Sequence, residues 1–233
     1  MFIIIFTLFC IFNYEIIFNK FLRNGNQKFQ RLCFLEENLS EFNVINDIQD
    51  DYDKKLYLKN KTKFYIKNRT RYLLNRHVIY NESKLITFQD KLNWLIIHES
   101  PVYKYFLADK IKLHDYAKKI IGKDICVPIL KEYENTSDIN FKELPDKFAP
   151  KSNHGRGMNL ICNDKKKFNF SKVIKTLKYW KNKNYGFKSS EFQYAHIKRK
   201  IFAETFLCDE LIDYKIFCFN GEPKFIRIRK IIE

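Results

Sequence analysis

The chain has 233 residues, 45% of them hydrophobic, which is enough to bury one large core or two small ones and too many for wholesale disorder. Lys and Arg number 43 against 27 Asp and Glu, and the formal net charge of +16 asks for an anionic partner: nucleotide, nucleic acid, phospholipid surface or acidic glycan. Six scattered cysteines, Cys10, Cys33, Cys126, Cys162, Cys208 and Cys218, form no CxxC pair and no Cys/His cluster at zinc spacing, which excludes a zinc ribbon and points to a reducing compartment.

Part of the charge has a bland origin, since Lys, Asn, Ile, Phe and Tyr are all frequent, as in AT-rich coding sequence. From Phe2 to Phe12 the chain is apolar except for Thr7, but Asn13 and Glu15 interrupt the run before Lys20. A spanning helix needs about 20 apolar residues and a secretory signal a basic start. The segment is therefore expected to be a buried strand or helix, or an interfacial element, with a signal anchor as the alternative. Residues 24–50 show no strong period, so 1–50 reads as an apolar N-terminus and irregular linker.

Residues 51–122 read as a mainly helical, basic region. Lys54 to Arg76 carries many cations and no acid, interleaved with Tyr, Phe and Leu. That pattern fits a helix lying on an anionic membrane or nucleic acid, or a solvated helix with its aromatics turned inward, and the second is preferred. In "TFQDKLNWLIIHESP", Thr87 and Asp90 open a helix, Leu92, Leu95 and Ile96 share a face, and Pro101 ends it. A second helical stretch runs from Pro101 to Ile121 and stops at Gly122.

From 123 to 233 an α+β region is expected. "ICVPIL" (Ile125–Leu130), "LPDKFAPK" and "NLICN" (Asn159–Asn163) read as strands. Ser171 caps a helix with Val173, Ile174, Leu177 and Trp180 on one side. "RKIFAETFL" and "IDYKIFCF" follow as strands, and Asn220-Gly221 turns a hairpin into "EPKFIRIRK". The order is an antiparallel sheet with a helix on one face and a glycine-rich loop at its mouth.

That loop, "KFAPKSNHGRGMNL", is the candidate site. Gly155 and Gly157 can turn main-chain N–H groups towards an oxyanion, while Lys151 and Arg156 supply positive charge. It is neither a Walker A loop nor a GxGxxG fingerprint, so on its own it fits a basic hairpin equally well. Downstream, Glu204 follows the apolar Ile201-Phe202-Ala203, and Asp213 and Lys215 alternate with Tyr214, which puts an acid and a base on one strand face. The blander alternatives are an exposed strand end for Glu204 and a weak ion pair for the other two.

Together, "TFQDKLNWL", "LADK", "IIGKDICVPIL", "LPDKFAPKSNHGRGMNLICNDK", "EFQY", "IFAETFL" and "LIDYKIFCFNGEPKFI" resemble the TupA-like ATP-grasp family from about Thr87 to Arg229. The resemblance implies ATP with Mg²⁺, held between two α+β lobes, and phosphorylation of a carboxylate whose acyl phosphate an amine or similar nucleophile captures. It implies a setting in teichuronic acid or capsular polysaccharide synthesis, with an acidic or carboxylate-bearing glycan as substrate and no specific nucleic acid. Lys151 matches the strand lysine on the phosphates, and His154, Gly155, Arg156, Gly157 and Asn159 match the covering loop. Glu204 and Leu207 match the adenine hinge, Asp213 the ribose contact and Lys215 a second phosphate contact.

Some positions depart from the family's pattern. Pro150 precedes the lysine and removes a ladder N–H, while Arg156 and Met158 make the loop bulkier. The carboxylate strands expected to hold Mg²⁺ on a second lobe do not occur before Glu233, so that lobe is expected to be incomplete and the chain truncated or degenerate. Three readings stay open: an ATP-grasp ligase domain, an inactive remnant or anion-binding module, and a basic peripheral membrane or nucleic-acid binder. The site is expected to be cytoplasmic, at the inner face of the membrane. A glycosyltransferase reading, which such gene neighbourhoods also attract, has only "DIQDDYD", with no strand to present its acids.

Overall fold

Side-chain caps divide the helical region into short pieces. In this computed structural model, which describes residues 9–11, 44–98, 102–208, 211–219 and 222–231, helix α1 spans Asp51–Lys59 and α2 spans Lys61–Leu74. Asp50 accepts from the N–H of Asp53 at 3.0 Å, and Asn60 both closes α1 and accepts from the N–H of Lys63 at 2.9 Å. The basic run is thus two helices, not one. Its aromatics turn inward: Tyr57, Phe64 and Tyr65 are buried with Val44, Ile48, Ile97 and Phe192.

Helix α3, Phe88–His98, opens as the sequence suggests, because the Thr87 N–H and hydroxyl both donate to Asp90 and the Asp90 N–H donates back. The stretch after Pro101 is two helices, α4 (Val102–Ala108) and α5 (Lys110–Ile121). Asp109 separates them by adopting an extended backbone and capping α5. Gly122, at φ 76°, ends α5.

Strands β2 (Ile129–Tyr133), β3 (Phe148–Ser152) and β4 (Ile201–Thr205) form an antiparallel sheet in the order β2-β4-β3. The first strand begins later than "ICVPIL" suggests, since Pro128 has no N–H for the ladder; its carbonyl accepts from Thr205 at 3.0 Å. "NLICN" forms isolated bridges to β3 in place of a strand. Phe148 and Cys162 exchange both backbone bonds, but at Pro150 only the carbonyl can act, accepting from Leu160 at 3.0 Å. The missing N–H of Pro150 therefore faces this segment and leaves the β4 side of the ladder whole. Helix α6, Phe170–Asn182, is capped by Asn169, two residues before the expected Ser171, and packs Val173 and Leu177 against Phe148, Ile201 and Ala203. A short α7, Tyr185–Ser189, follows.

These elements belong to one compact unit, Cys33–Thr205. A second unit combines Met1–Leu32 with Phe206–Glu233. In it, β5 (Leu211–Phe219) and β6 (Glu222–Ile231) pair antiparallel, and β1 (Phe9–Ile11) lies parallel to β5. The run of strands expected as one sheet thus divides between two three-stranded sheets. Phe219 pairs with Glu222; the expected Asn220-Gly221 turn lies outside the described residues, as do residues 12–43.

Candidate functional site

Strand alternation decides which side chains meet. Lys151 lies opposite Phe202 and Ala149 opposite Glu204, so Lys151 and Glu204 share the sheet face away from α6. The Lys151 ammonium pairs with the Glu204 carboxylate. Glu204 is buried while the lysine side chain is 28% exposed. From α5, His114 Nε2 comes within 3.8 Å of the second carboxylate oxygen. A buried carboxylate needs such a partner, because desolvation otherwise outweighs what packing returns.

The loop after β3 is fixed at its root by buried polar groups. Asn153 is fully buried; its side-chain amide donates to Asp109 Oδ2 at 3.1 Å and to the Lys198 carbonyl at 2.9 Å, and its oxygen accepts from the Lys200 N–H at 2.8 Å. Its carbonyl accepts from the Lys110 N–H at 3.1 Å. Burial pushes the Asp109 carboxyl up to about 6, against the donors from Ile111, Asn153 and Lys112. The Lys110 ammonium donates to the carbonyls of Ser152 at 2.9 Å and Gly155 at 2.7 Å. Burial first, and the nearby Lys151 charge second, bring it down to about 8.

His154 is also fully buried and belongs to the loop's internal bracing. Its Nε2 lies 3.0 Å from the Lys183 carbonyl, which can only accept, so the proton sits on Nε2. Nδ1 then accepts from the Ser152 hydroxyl at 2.6 Å. Burial lowers this imidazole to about 4 and keeps it neutral at pH 7.

The two glycines do different work. Gly155, at φ 81°, packs so tightly that a Cβ would lie 2.6 Å from Cγ of Tyr185. Gly157, at φ 70°, has open space where a Cβ would be. Met158 is buried, whereas Arg156, Gly157 and Asn159 form an exposed outer limb. Among the described residues no backbone carbonyl accepts from the N–H groups of Arg156 or Gly157. Free amides beside a partly exposed ammonium suit a phosphate.

Beside Glu204 lies a cleft of about 480 Å³ between α5 (Ile111, His114, Lys118) and the segment Val127–Glu132. His114 both lines it and reaches Glu204. Leu207, Asp213 and Lys215 lie in the second unit. There Asp213 accepts from Arg229 at 3.1 Å, and the Lys215 ammonium stands 5.5 Å from the Phe217 ring centre. Among the described residues no three His, Cys, Asp or Glu side chains cluster to hold a metal ion, so no residue is assigned to Mg²⁺.

Sequence reasoning passed over Asp109, Lys110, His114 and Asn153. "LADK" carried a signal, an acid before the first residue of a helix, but its partner Asn153 is 44 positions away.

No curated protein and no solved structure matches the chain. A family model described as TupA-like ATPgrasp matches residues 90–231, a span that holds α5, the Lys151 strand, the glycine loop and Glu204. Over more than half of its length, then, the sequence carries this family's pattern, and the chain belongs to the TupA-like ATP-grasp family.

Proposed function

We propose that the chain binds ATP on the face of β3 and β4 and serves as the nucleotide-holding part of a ligase in cell-surface polysaccharide synthesis. Lys151 and Lys110 supply positive charge to the phosphates, the amides of Arg156 and Gly157 donate to their oxygens, and the apolar flank of β4 at Glu204 takes the base. In the second unit, considered by itself, Asp213 and Lys215 share a strand face whose acid and base suit a ribose and a phosphate. In the reaction a substrate carboxylate attacks the γ-phosphorus, ADP leaves, and an amine or similar nucleophile displaces phosphate from the acyl phosphate. An acidic glycan precursor at the cytoplasmic face of the membrane is the substrate class this reading favours.

The observation that carries the reading is the partly exposed Lys151 ammonium, set among buried neighbours on the strand that leads into a loop with free amides. Charge-assisted bonds of this kind contribute about 1.5–3 kcal/mol each. Calorimetric titration with Mg·ATP is expected to give saturable heat that falls at least about tenfold in affinity in Lys151→Ala. Because that change leaves Glu204 without its ammonium, Lys151→Met/Glu204→Gln serves as the folded control and should bind as weakly. Equal heats in all three proteins would remove the assignment.

A second reading, a non-catalytic ATP- or anion-binding module, is favoured by Arg156 and Met158, which make the loop bulkier than the family's pattern. ATP binding without ADP release in the presence of candidate acceptors would select it.

A further inference from the structure

The connection from α2 to α3, residues 75–87, has no part in the nucleotide site. It begins with a helix-ending turn in which the Val78 N–H donates to the Leu73 carbonyl and the His77 N–H to that of Leu74, both at 2.9 Å. His77 holds the left-handed position at φ 58°, where glycine is usual. Beyond this turn the aliphatic side chains are turned outward. Ile79 is 86% exposed, Ile86 79% and Leu74 55%, with Val78 also exposed.

Cations lie close to them in the sequence. Arg71, Arg76, Lys84 and Lys91 are exposed, as is His77. Arg71 lies 3.8 Å from Asp53, and Arg76 lies over the Tyr72 ring. The acids of the same stretch have local partners: Glu82 pairs with His98 at 2.9 Å and accepts from the Tyr80 hydroxyl at 3.4 Å, and Asp90 accepts from Thr87 at the surface. Two nearly naked isoleucines in a segment that also carries exposed cations combine the two terms that hold proteins at lipid surfaces, apolar insertion and attraction to anionic headgroups. A nucleic acid would use the cations but not the isoleucines. No helix among the described residues is long and apolar enough to cross a membrane.

We propose that residues 74–86 dock the protein on an anionic phospholipid bilayer, with Ile79 and Ile86 inserted and Arg76 and Lys84 at the headgroups. The contact is independent of ATP, so Lys151→Ala should retain it. The test is co-sedimentation of the full chain with vesicles of phosphatidylcholine containing about 30% phosphatidylglycerol, against phosphatidylcholine alone. Binding is expected to need the anionic lipid and to weaken as salt rises. Ile79→Ser/Ile86→Ser, which leaves the charge unchanged, should lower the partition coefficient about tenfold. Lys166→Glu/Lys167→Glu, on an exposed lysine run elsewhere, should lower it less than about threefold, and circular dichroism should show each variant folded. Unchanged binding in the serine variant overturns the proposal, as does an equal loss in the Lys166/Lys167 variant, which would mean diffuse charge alone. So does a serine variant that dissolves an oligomer in sedimentation velocity while still binding vesicles, since the patch would then face a second copy.

Discussion

The two sheets each present a lysine and an acid on one face, but hold them by opposite means. In the Cys33–Thr205 unit, Glu204 is buried against Lys151, and the loop beyond is anchored by Asn153, Asp109 and His154 inside the protein. In the other unit, Asp213 meets an Arg229 that is 59% exposed, and every β6 side chain described is exposed. Alternation along a strand decides that an acid and a base share a face. Burial decides whether that pairing matters energetically.

The contrast can be broken at its strongest point. Asn153→Ala leaves Asp109, the Lys198 carbonyl and the Lys200 N–H without their shared partner, and should lower stability by about 4–5 kcal/mol, read from the urea midpoint. A loss below about 1 kcal/mol would mean that the root of the loop is no better fixed than the Asp213–Arg229 pair.

Acid should act next most strongly, through the same unit. Burial holds His154 at about 4 and His196 at about 3. Both lie below the ordinary imidazole value, so the unfolded chain takes up protons first. Their stabilisation is complete above about pH 6.5 and is shed as pH falls towards 4 and 3. Asp109, raised to about 6, runs the other way: its contribution is whole below about 3.8 and is lost as pH rises through 6. The balance between pH 7 and 4 is a loss on the order of 4 kcal/mol. His196 stacks on Tyr105 at 4.3 Å, and its Nδ1 is buried without a partner among the described residues. His196→Phe keeps the stack and should remove most of that net acid loss, about 3 kcal/mol, in unfolding curves taken at pH 7, 5.5 and 4.

The smallest effect is expected at Asp213, whose Arg229 partner on β6 stands largely in water. Asp213→Ala should change stability by less than about 1 kcal/mol in the same urea experiment. A larger loss would show that this pair is held more firmly than its exposure suggests.

Features written in neighbouring residues could be read from the sequence. The Thr87–Asp90 cap and the stop at Gly122 each follow from local chemistry, whereas the meeting of Lys151 and Glu204 needs the register of β3 on β4. Features set by distant partners could not. Asp109 splits a helical stretch because Asn153 awaits its carboxylate, and Asn159–Cys162 fails to become a strand because its neighbour across the ladder is Pro150. The division into two sheets rests on the pairing of β1 with β5, which no local pattern encodes. His154 was legible as a loop residue, but its buried role depends on the Lys183 carbonyl.

The clasp of Lys110 on the carbonyls of Ser152 and Gly155 has a kinetic corollary. A loop secured this way is assembled before any ligand arrives, so capture forfeits little conformational freedom and encounter need not wait for a flap to shut. Only the short outer limb at Arg156 and Gly157 is left to adapt, and slow hydrogen exchange should stop abruptly there.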